Sequence, residues 1–224
     1  NGPIKDYKSK SPKGFFINSY INEHDLEIQT FPGLEAQIAS LSDDIAYNNH
    51  DIDDGFRAKK FTIKNLCEIE IIDKIYHDII SEYTNLTEFM IVQEIVRRLI
   101  GVMVNDLILE TQKNLDNLKP KKVSDIRNYN RPVAMFSENM RKQDKELKKF
   151  LLEKVYKHPS MEKNRNLSRN IIKELFSLLL DNINLLPDYL KIICQENSES
   201  DNAYIICDYI ASMTDRSATA NHAK

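Results

Sequence analysis

Apolar residues recur along most of this chain at steps of three, four and seven, the spacing that keeps side chains on one face of an α-helix. After Phe31-Pro32-Gly33, the residues Leu34, Ile38, Leu41, Ile45 and Ile52 mark an amphipathic helix that the pattern ends near Gly55. A second helical region runs over 61–83, with Ile69, Ile72, Ile75, Tyr76 and Ile79 on one stripe. Residues 87–115 form the longest periodic segment, opening at Thr87-Glu88 and carrying Met90, Ile91, Ile95, Leu99, Val102, Met103 and Leu107. It is apolar enough to be the central core helix. A polar loop with Pro120 and Pro132 follows, and Ser137 then caps a helix that the pattern stops at Pro159, with His158 at its C-terminal end. The stretch 169–187 repeats Ile171, Leu175, Leu178 and Leu179 and stops at Pro187; 196–200 (ENSES) reads as a loop, and 202–218 closes the fold before a frayed tail.

Composition sharpens this into an all-α class. Only 5 Gly and 7 Pro occur in 224 residues, too few for the turns of a sheet-rich protein. Three of the prolines and three of the glycines crowd residues 1–33, so 1–31 reads as an extended or loosely helical arm and 32–224 as one domain. There is no internal repeat. A net charge of −3 and a pI near 6.0 give no global basic field for nucleic acid or a membrane surface. Cys67, Cys194 and Cys207 are odd in number and widely spaced, which argues against a disulfide framework or zinc knuckle and fits the reducing cytoplasm. No apolar run approaches the roughly 18 residues of a membrane span. The chain opens on Asn without a signal-like apolar segment, and the expectation is a processed or truncated chain.

One stretch stands out chemically. Residues 42–55 (SDDIAYNNHDIDDG) hold five aspartates and no Lys or Arg. On a helix, Asp43, Tyr47 and Asp51 fall at i, i+4 and i+8 and share a stripe, with Leu34, Ile38, Leu41 and Ile45 roughly opposite. Adjacent carboxylates repel by a few tenths of a kcal/mol per pair. A divalent cation or a sugar hydroxyl would offset that repulsion, since Asp accepts hydrogen bonds and Tyr offers a ring and a hydroxyl. A plainly solvated acidic face is the alternative.

The string LEAQIASLSDDIAYNNHDIDDGFRA, residues 34–58, resembles a segment of the bacterial dGTP triphosphohydrolase-like proteins of the HD-domain superfamily, the part that follows their His and His-Asp motifs. RRLIGVMVNDLI at 97–108, FLLEKVYKHP at 150–159 and DYIASMTDRSA at 208–218 resemble later segments of that family in the same order. The resemblance implies an all-α, multi-helix HD-type bundle of which this chain is the C-terminal part. It implies hydrolysis of a deoxynucleoside triphosphate to the deoxynucleoside and tripolyphosphate, assisted by Mg²⁺ or Mn²⁺. By position, Asp43 resembles the family's final metal ligand, Tyr47 the residue packing on the deoxyribose, and Asp51 the acceptor for its 3′ hydroxyl. Hard divalent cations do favour such carboxylate ligands.

The family's upstream His and His-Asp ligands are not in this chain. His24-Asp25, His50-Asp51 and His77-Asp78 read as that motif but stand in the wrong order or too near Asp43, and polar side chains facing water account for them. Arg97 and Arg98 share a helix with Glu94, and an i, i+4 pair between Glu94 and Arg98 explains them. Lys59, Lys60 and the run at 119–122 could meet phosphate or single-stranded DNA, but a solvated loop is the plainer account. Tyr209 and Asp215 fall in the matching C-terminal segment without a chemical role. Two functions follow: the C-terminal portion of a dNTP triphosphohydrolase, inactive alone and completed by an N-terminal portion, or a non-catalytic helical oligomerisation or binding module. Either way, apolar surface left bare by an absent half favours homo-oligomers.

Overall fold

The computed structural model describes Pro3 and residues 24–196 and 198–222 of the chain. Most of the expected N-terminal arm therefore lies outside the described residues; its end, 24–31, is a turn tied to Arg127, whose guanidinium pairs with Glu27 at 2.6 Å and donates to Thr30 Oγ1 at 3.1 Å. Helices are the only regular secondary structure among the described residues, with no strand, which makes the fold all-α. Where the sequence reads 32–224 as one domain, the packing divides into two compact units, Asn1–Tyr156 and Lys157–Lys224.

The first unit holds helices α1 (Leu34–Arg57), α2 (Ile63–Leu66), α3 (Glu70–Glu82), α4 (Glu88–Leu118), α5 (Val123–Arg127) and α6 (Glu138–Leu151), the last running into a π-helical segment, Leu152–Tyr156. The 31-residue α4 is the central helix, with α1 and α3 packed against it. Thr87 and Ser137 cap α4 and α6 as expected, each hydroxyl accepting from a backbone N–H three residues on, at 3.3 and 3.2 Å. Ile45 and Ile52 of α1, Ile72 and Ile79 of α3, and Val92, Ile95, Leu99 and Met103 of α4 are buried together with Leu147 and Leu151 of α6. Each such side chain contributes about 1.5–3 kcal/mol of transfer free energy.

The buried face of α4 runs Val92, Ile95, Leu99, Met103, Leu107, whereas Met90 and Val102, expected on it, are exposed. Val102 sits about a third of a turn off that row and Met90, in the first turn, nearly opposite it, and a helix this apolar gives the pattern no sharp edge. On α1 the correction goes the other way. Ile38 is exposed, while Gln37, Asn48 and Asn49 are buried. Gln37 Oε1 accepts from the backbone N–H groups of Val133 and Ala134 at 2.8 and 3.0 Å, and its Nε2 donates to the Pro32 carbonyl at 2.8 Å. Asn114 Nδ2 donates to the Val133 carbonyl at 3.0 Å, so two buried amides hold the loop before α6 in place of a backbone ladder.

Gly55 does not end α1, which continues to Arg57. A Cβ at Gly55 would stand 2.5 Å from the Phe61 ring and 2.8 Å from Val155 Cγ2. Phe61 is itself buried and set edge-on against Phe150, with centroids 5.1 Å apart. The helix's left-handed terminus falls at Lys59, φ 53°.

The second unit contains α7 (Pro159–Asp181), a 3₁₀ turn (Ile183–Leu185), α8 (Asp188–Glu196), α9 (Glu199–Ala211) and α10 (Asp215–His222). Leu179, Leu186, Cys194 and Ile206 form its core. His158 is the N-cap of α7 rather than the end of the preceding helix: its Nδ1 accepts from Ser160 N–H at 3.2 Å, and Pro159 occupies the first turn, where its missing N–H costs nothing. Of the loop expected over 196–200, residue 197 lies outside the described residues, while Glu196 ends α8 and Ser198 caps α9 by accepting from Asp201 N–H at 3.3 Å.

Two predictions follow from this packing. Gly55→Ala should lower the urea unfolding free energy by about 1–3 kcal/mol, the cost of overpacking, despite alanine's better helix propensity; an unchanged midpoint would refute the close approach. The second concerns Glu94. Hydrogen bonds from Arg97 and Arg98, at 2.6 to 2.8 Å, hold its carboxyl down at about 2, and Arg98 reaches across to Glu82 of α3 at 2.5 Å. A depressed carboxylate contributes stability that is fully present above its ordinary value near 4.5 and is lost as pH falls toward 2. Glu94→Gln should therefore be less stable at pH 7 and lose less between pH 5 and 2.5, read as urea midpoints at each pH.

Candidate functional site

The acidic stretch of 42–55 occupies the second half of α1, between two flanks. On one flank lies α4, where Gln93 Nε2 donates to Asp53 Oδ1 and Asn49 Nδ2 contacts Met103 Sδ at 3.9 Å. Asp53 also pairs with Arg57 at 2.8 Å. On the other flank lie α6 and the π segment. Lys148 Nζ bridges Asp44 at 3.0 Å and Asp144 at 2.9 Å, and Asn48 Nδ2 donates to Asp144 at 3.1 Å. Tyr156 donates its hydroxyl proton to Asp51 Oδ2.

The three residues singled out from the sequence do fall along one side of α1. Asp43 and Tyr47 stand exposed between the flanks, Tyr47 at 64% of its surface, and Asp51 is half-buried toward the π segment. Each step of four residues turns the direction by about 40°, which carries the row from the crest at Asp43 to the wall at Asp51.

The structure also supplies what the sequence left unexplained, namely the positive and donor groups that meet this face. Lys148 lies about a hundred residues downstream, and the hydrogen bond of Tyr156 spans a separation of 105 residues. A π turn is wider than an α turn and resets the direction of the residues that follow it. Here it brings Tyr156 onto Asp51. The hydrogen bond to Asp51 pushes the Tyr156 phenol up to about 12, with burial and the Asp51 charge adding to it. For Lys148, burial acts to lower the ammonium's value, but the hydrogen bonds to Asp144 and Asp44 outweigh it, and the net shift is upward. The i, i+4 pair Asp144–Lys148 is legible in the sequence; its reach to α1 is not.

Among the described residues, no three His, Cys, Asp or Glu side chains gather into a group that could hold a metal ion. Asp43 offers one carboxylate, and a hard divalent cation takes about six ligands. The residues present do not by themselves fit a resident metal. Of the His-Asp pairs, His50 is exposed on α1 while its neighbour Asp51 turns to Tyr156, and His77 on α3 pairs with Asp73 at 3.5 Å. Arg97 and Arg98 are held by Glu94 and Glu82, the structural role expected for the first pair. In the second unit, Tyr209 packs against the core and Asp215 opens α10. No described helix is long and apolar enough to cross a membrane.

Comparison with known proteins places this architecture. Residues 134–224 match the phosphohydrolase-associated domain family. Over 208 residues the chain is 37% identical to a deoxyguanosinetriphosphate triphosphohydrolase-like protein of Parvibaculum lavamentivorans, covering 93% of this chain and 52% of that protein. The protein of that name from Rickettsia felis is 38% identical over 218 residues, 97% of this chain and 56% of the relative. The one from Caulobacter vibrioides is 37% identical over 224 residues, 100% of this chain and 57% of the relative. The chain thus spans about half the length of the curated relatives it matches. That likeness to deoxyguanosinetriphosphate triphosphohydrolase-like proteins runs along almost all of this chain's own residues.

Proposed function

We propose that this chain contributes the sugar-contacting wall and one metal-holding carboxylate to a dNTP triphosphohydrolase of the cytoplasm. The observation that carries the reading is the row on α1 in which Asp43 and Tyr47 are presented to solvent and Asp51 is oriented by Tyr156. In this reading Asp43 is one ligand of a Mg²⁺ or Mn²⁺ site, and sequence outside this chain supplies the His and His-Asp ligands. Bound there, the metal would polarise the α-phosphate or activate water. The Tyr47 ring lies against the deoxyribose, where it crowds a 2′ hydroxyl. Asp51 accepts a hydrogen bond from the 3′ hydroxyl, and Tyr156 fixes the carboxylate in the orientation that receives it, limiting the entropy lost on binding.

A second reading, a helical oligomerisation module without catalysis, is favoured by the exposed apolar residues Ile100, Val104 and Ile108, which recur every four positions on α4. Homo-oligomers accommodate both readings. Single-stranded DNA has only the lysines of 119–122 and the end of α1 to recommend it.

The test is tripolyphosphate release from dGTP with Mn²⁺, by the chain alone and mixed with a polypeptide carrying the missing His and His-Asp ligands. The expected result is release only in the mixture, falling at least about 100-fold with Asp43→Ala, since one removed ligand disables the metal's role. Release that survives Asp43→Ala would sink the reading, and a mixture that assembles without turnover would favour the module. In the active mixture, Tyr156→Phe should lower kcat/KM for dGTP by about tenfold, the usual scale for removing a group that orients a contacting carboxylate; equal values for the two proteins would show that Asp51 needs no such partner.

A further inference from the structure

In the second unit, α7, α9 and α10 line a cavity of about 770 Å³. Its volume is that of a small-molecule site, typically about 300–1,000 Å³. The space exists because α10 brings nothing large to fill it. That helix has no buried residue, and it lines the cavity with only Ala218, Thr219 and its first residue, Asp215. The Thr219 hydroxyl is committed to the Asp215 carbonyl at 2.8 Å, which leaves its methyl group as what it can offer a ligand. An ion pair between His222 and Glu174 fastens the end of α10 to α7. The facing wall is apolar, with Phe176 of α7, Ile210 of α9 and Met213 just after it. Such a wall disfavours a wholly polar ligand, whose hydrogen bonds to water would go unreplaced.

One charge on the wall has no counterpart. Lys173 of α7 lines the cavity and makes no ion pair among the described residues. No carboxylate stands three or four positions away on its helix, where Arg169, Asn170, Phe176 and Ser177 lie. Glu174, next in sequence, is taken by His222. The other charge on the wall, Asp215, sits in the first turn of α10, where the helix N-terminus favours a carboxylate. The uncompensated charge is therefore positive. Beside it Ile172 keeps 51% of its surface exposed, an unfavourable contact with water that a bound alkyl chain would remove. An aliphatic lysine stem with its ammonium at the rim of an apolar cavity suits a ligand with an anionic head and an apolar body.

We propose that this cavity binds a carboxylic amphiphile, a fatty acid of medium length, with its carboxylate at Lys173 and its alkyl chain against Phe176, Ile210 and Met213. The inference concerns the second unit alone and stands whether or not the chain takes part in hydrolysis.

Cys207, on the same wall, supplies the reporter. It is exposed, whereas Cys194 is buried and Cys67 half-buried; burial pushes both of those thiols up, and the Asp73 charge adds to it at Cys67. Iodoacetamide should therefore alkylate Cys207 first, followed on its peptide by mass spectrometry. At about ten times its Kd, decanoate should slow that alkylation in the 224-residue chain by about tenfold, and decanol should protect as well. Lys173→Ala should weaken decanoate by about fivefold, the upper scale of an exposed ion pair, and leave decanol unchanged. Ala218→Leu fills the cavity, so it should raise Tm by about 2–4 °C and abolish protection by either compound, each measured against the variant's own unliganded rate. Stability and binding then move in opposite directions, which no folding defect can mimic. The proposal is overturned if decanoate gives no protection below its micelle concentration, if Ala218→Leu still binds, or if Lys173→Ala affects acid and alcohol alike. Protection that appears without ligand and deepens with protein concentration would assign the cavity to a second copy of the chain and also overturn it.

Discussion

The absence of a side chain at Gly55 sets how near the π segment can come to α1. Val155 and Phe61 already fill the space that a Cβ would take. Close-packed interiors do not absorb such a group by spreading the strain thinly, because neighbouring side chains sit in rotamer wells with few voids. Val155 immediately precedes Tyr156, and Tyr156 donates to Asp51, one turn before Gly55. The steric constraint at 55 and the hydrogen bond at 51 are therefore one arrangement. If α1 and the π segment were held apart, the phenol would lose its acceptor and Asp51 would face water.

Helix α1 meets two demands that normally conflict. It must be anchored firmly enough to present side chains in fixed directions, yet its outward half is too acidic to be stable by itself. Anchoring comes from Ile45 and Ile52 against α4, and from buried amides whose hydrogen bonds are specific. Asn49 is fully buried and donates to the Ile45 carbonyl at 2.8 Å, while Gln37 captures two backbone donors of the loop before α6. A buried amide left without partners costs about 1–3 kcal/mol, so the Gln37 contacts to the loop penalise rotation or slippage of α1, whereas the Asn49 bond lies within the helix and moves with it. Aliphatic contacts alone are less particular about register.

How far the sequence reveals this depends on the kind of interaction. Helix starts at Thr87 and Ser137 are legible because a cap is a local hydrogen bond between residues three apart. The Glu94–Arg98 pair is legible for the same reason. The buried face of α1 is only half legible, since periodicity arguments score Gln37, Asn48 and Asn49 as polar and place them outside. Only the loop backbone and the partner helices, remote in sequence, make their burial favourable. Glycine favours a helix stop, and the pattern alone reads Gly55 as one, whereas in the fold it permits close packing. Along the row on α1, the i, i+4, i+8 spacing correctly puts Asp43, Tyr47 and Asp51 on one side. It is silent about Lys148 and Tyr156, whose contacts to that row exist only after some hundred residues have folded back.

Those long-range partners bear on which carboxylate is available to a ligand. Five aspartates lie between 42 and 55, and at helical spacing they raise one another's energy. Lys148 meets Asp44, Tyr156 meets Asp51, and Gln93 with Arg57 meets Asp53. The first unit thus offsets much of the repulsion with its own groups. Such exposed pairs contribute little to stability individually, about 0–1 kcal/mol, but they decide geometry, because each holds its aspartate toward a flank. Asp43 is exposed at the crest between them, beside Tyr47 one turn on. A carboxylate in that position keeps its hydration until a cation replaces it, whereas Asp44 or Asp53 would first have to give up a charged partner. Availability thus narrows the five aspartates to Asp43 and Asp54, and of these Asp43 is the one beside Tyr47.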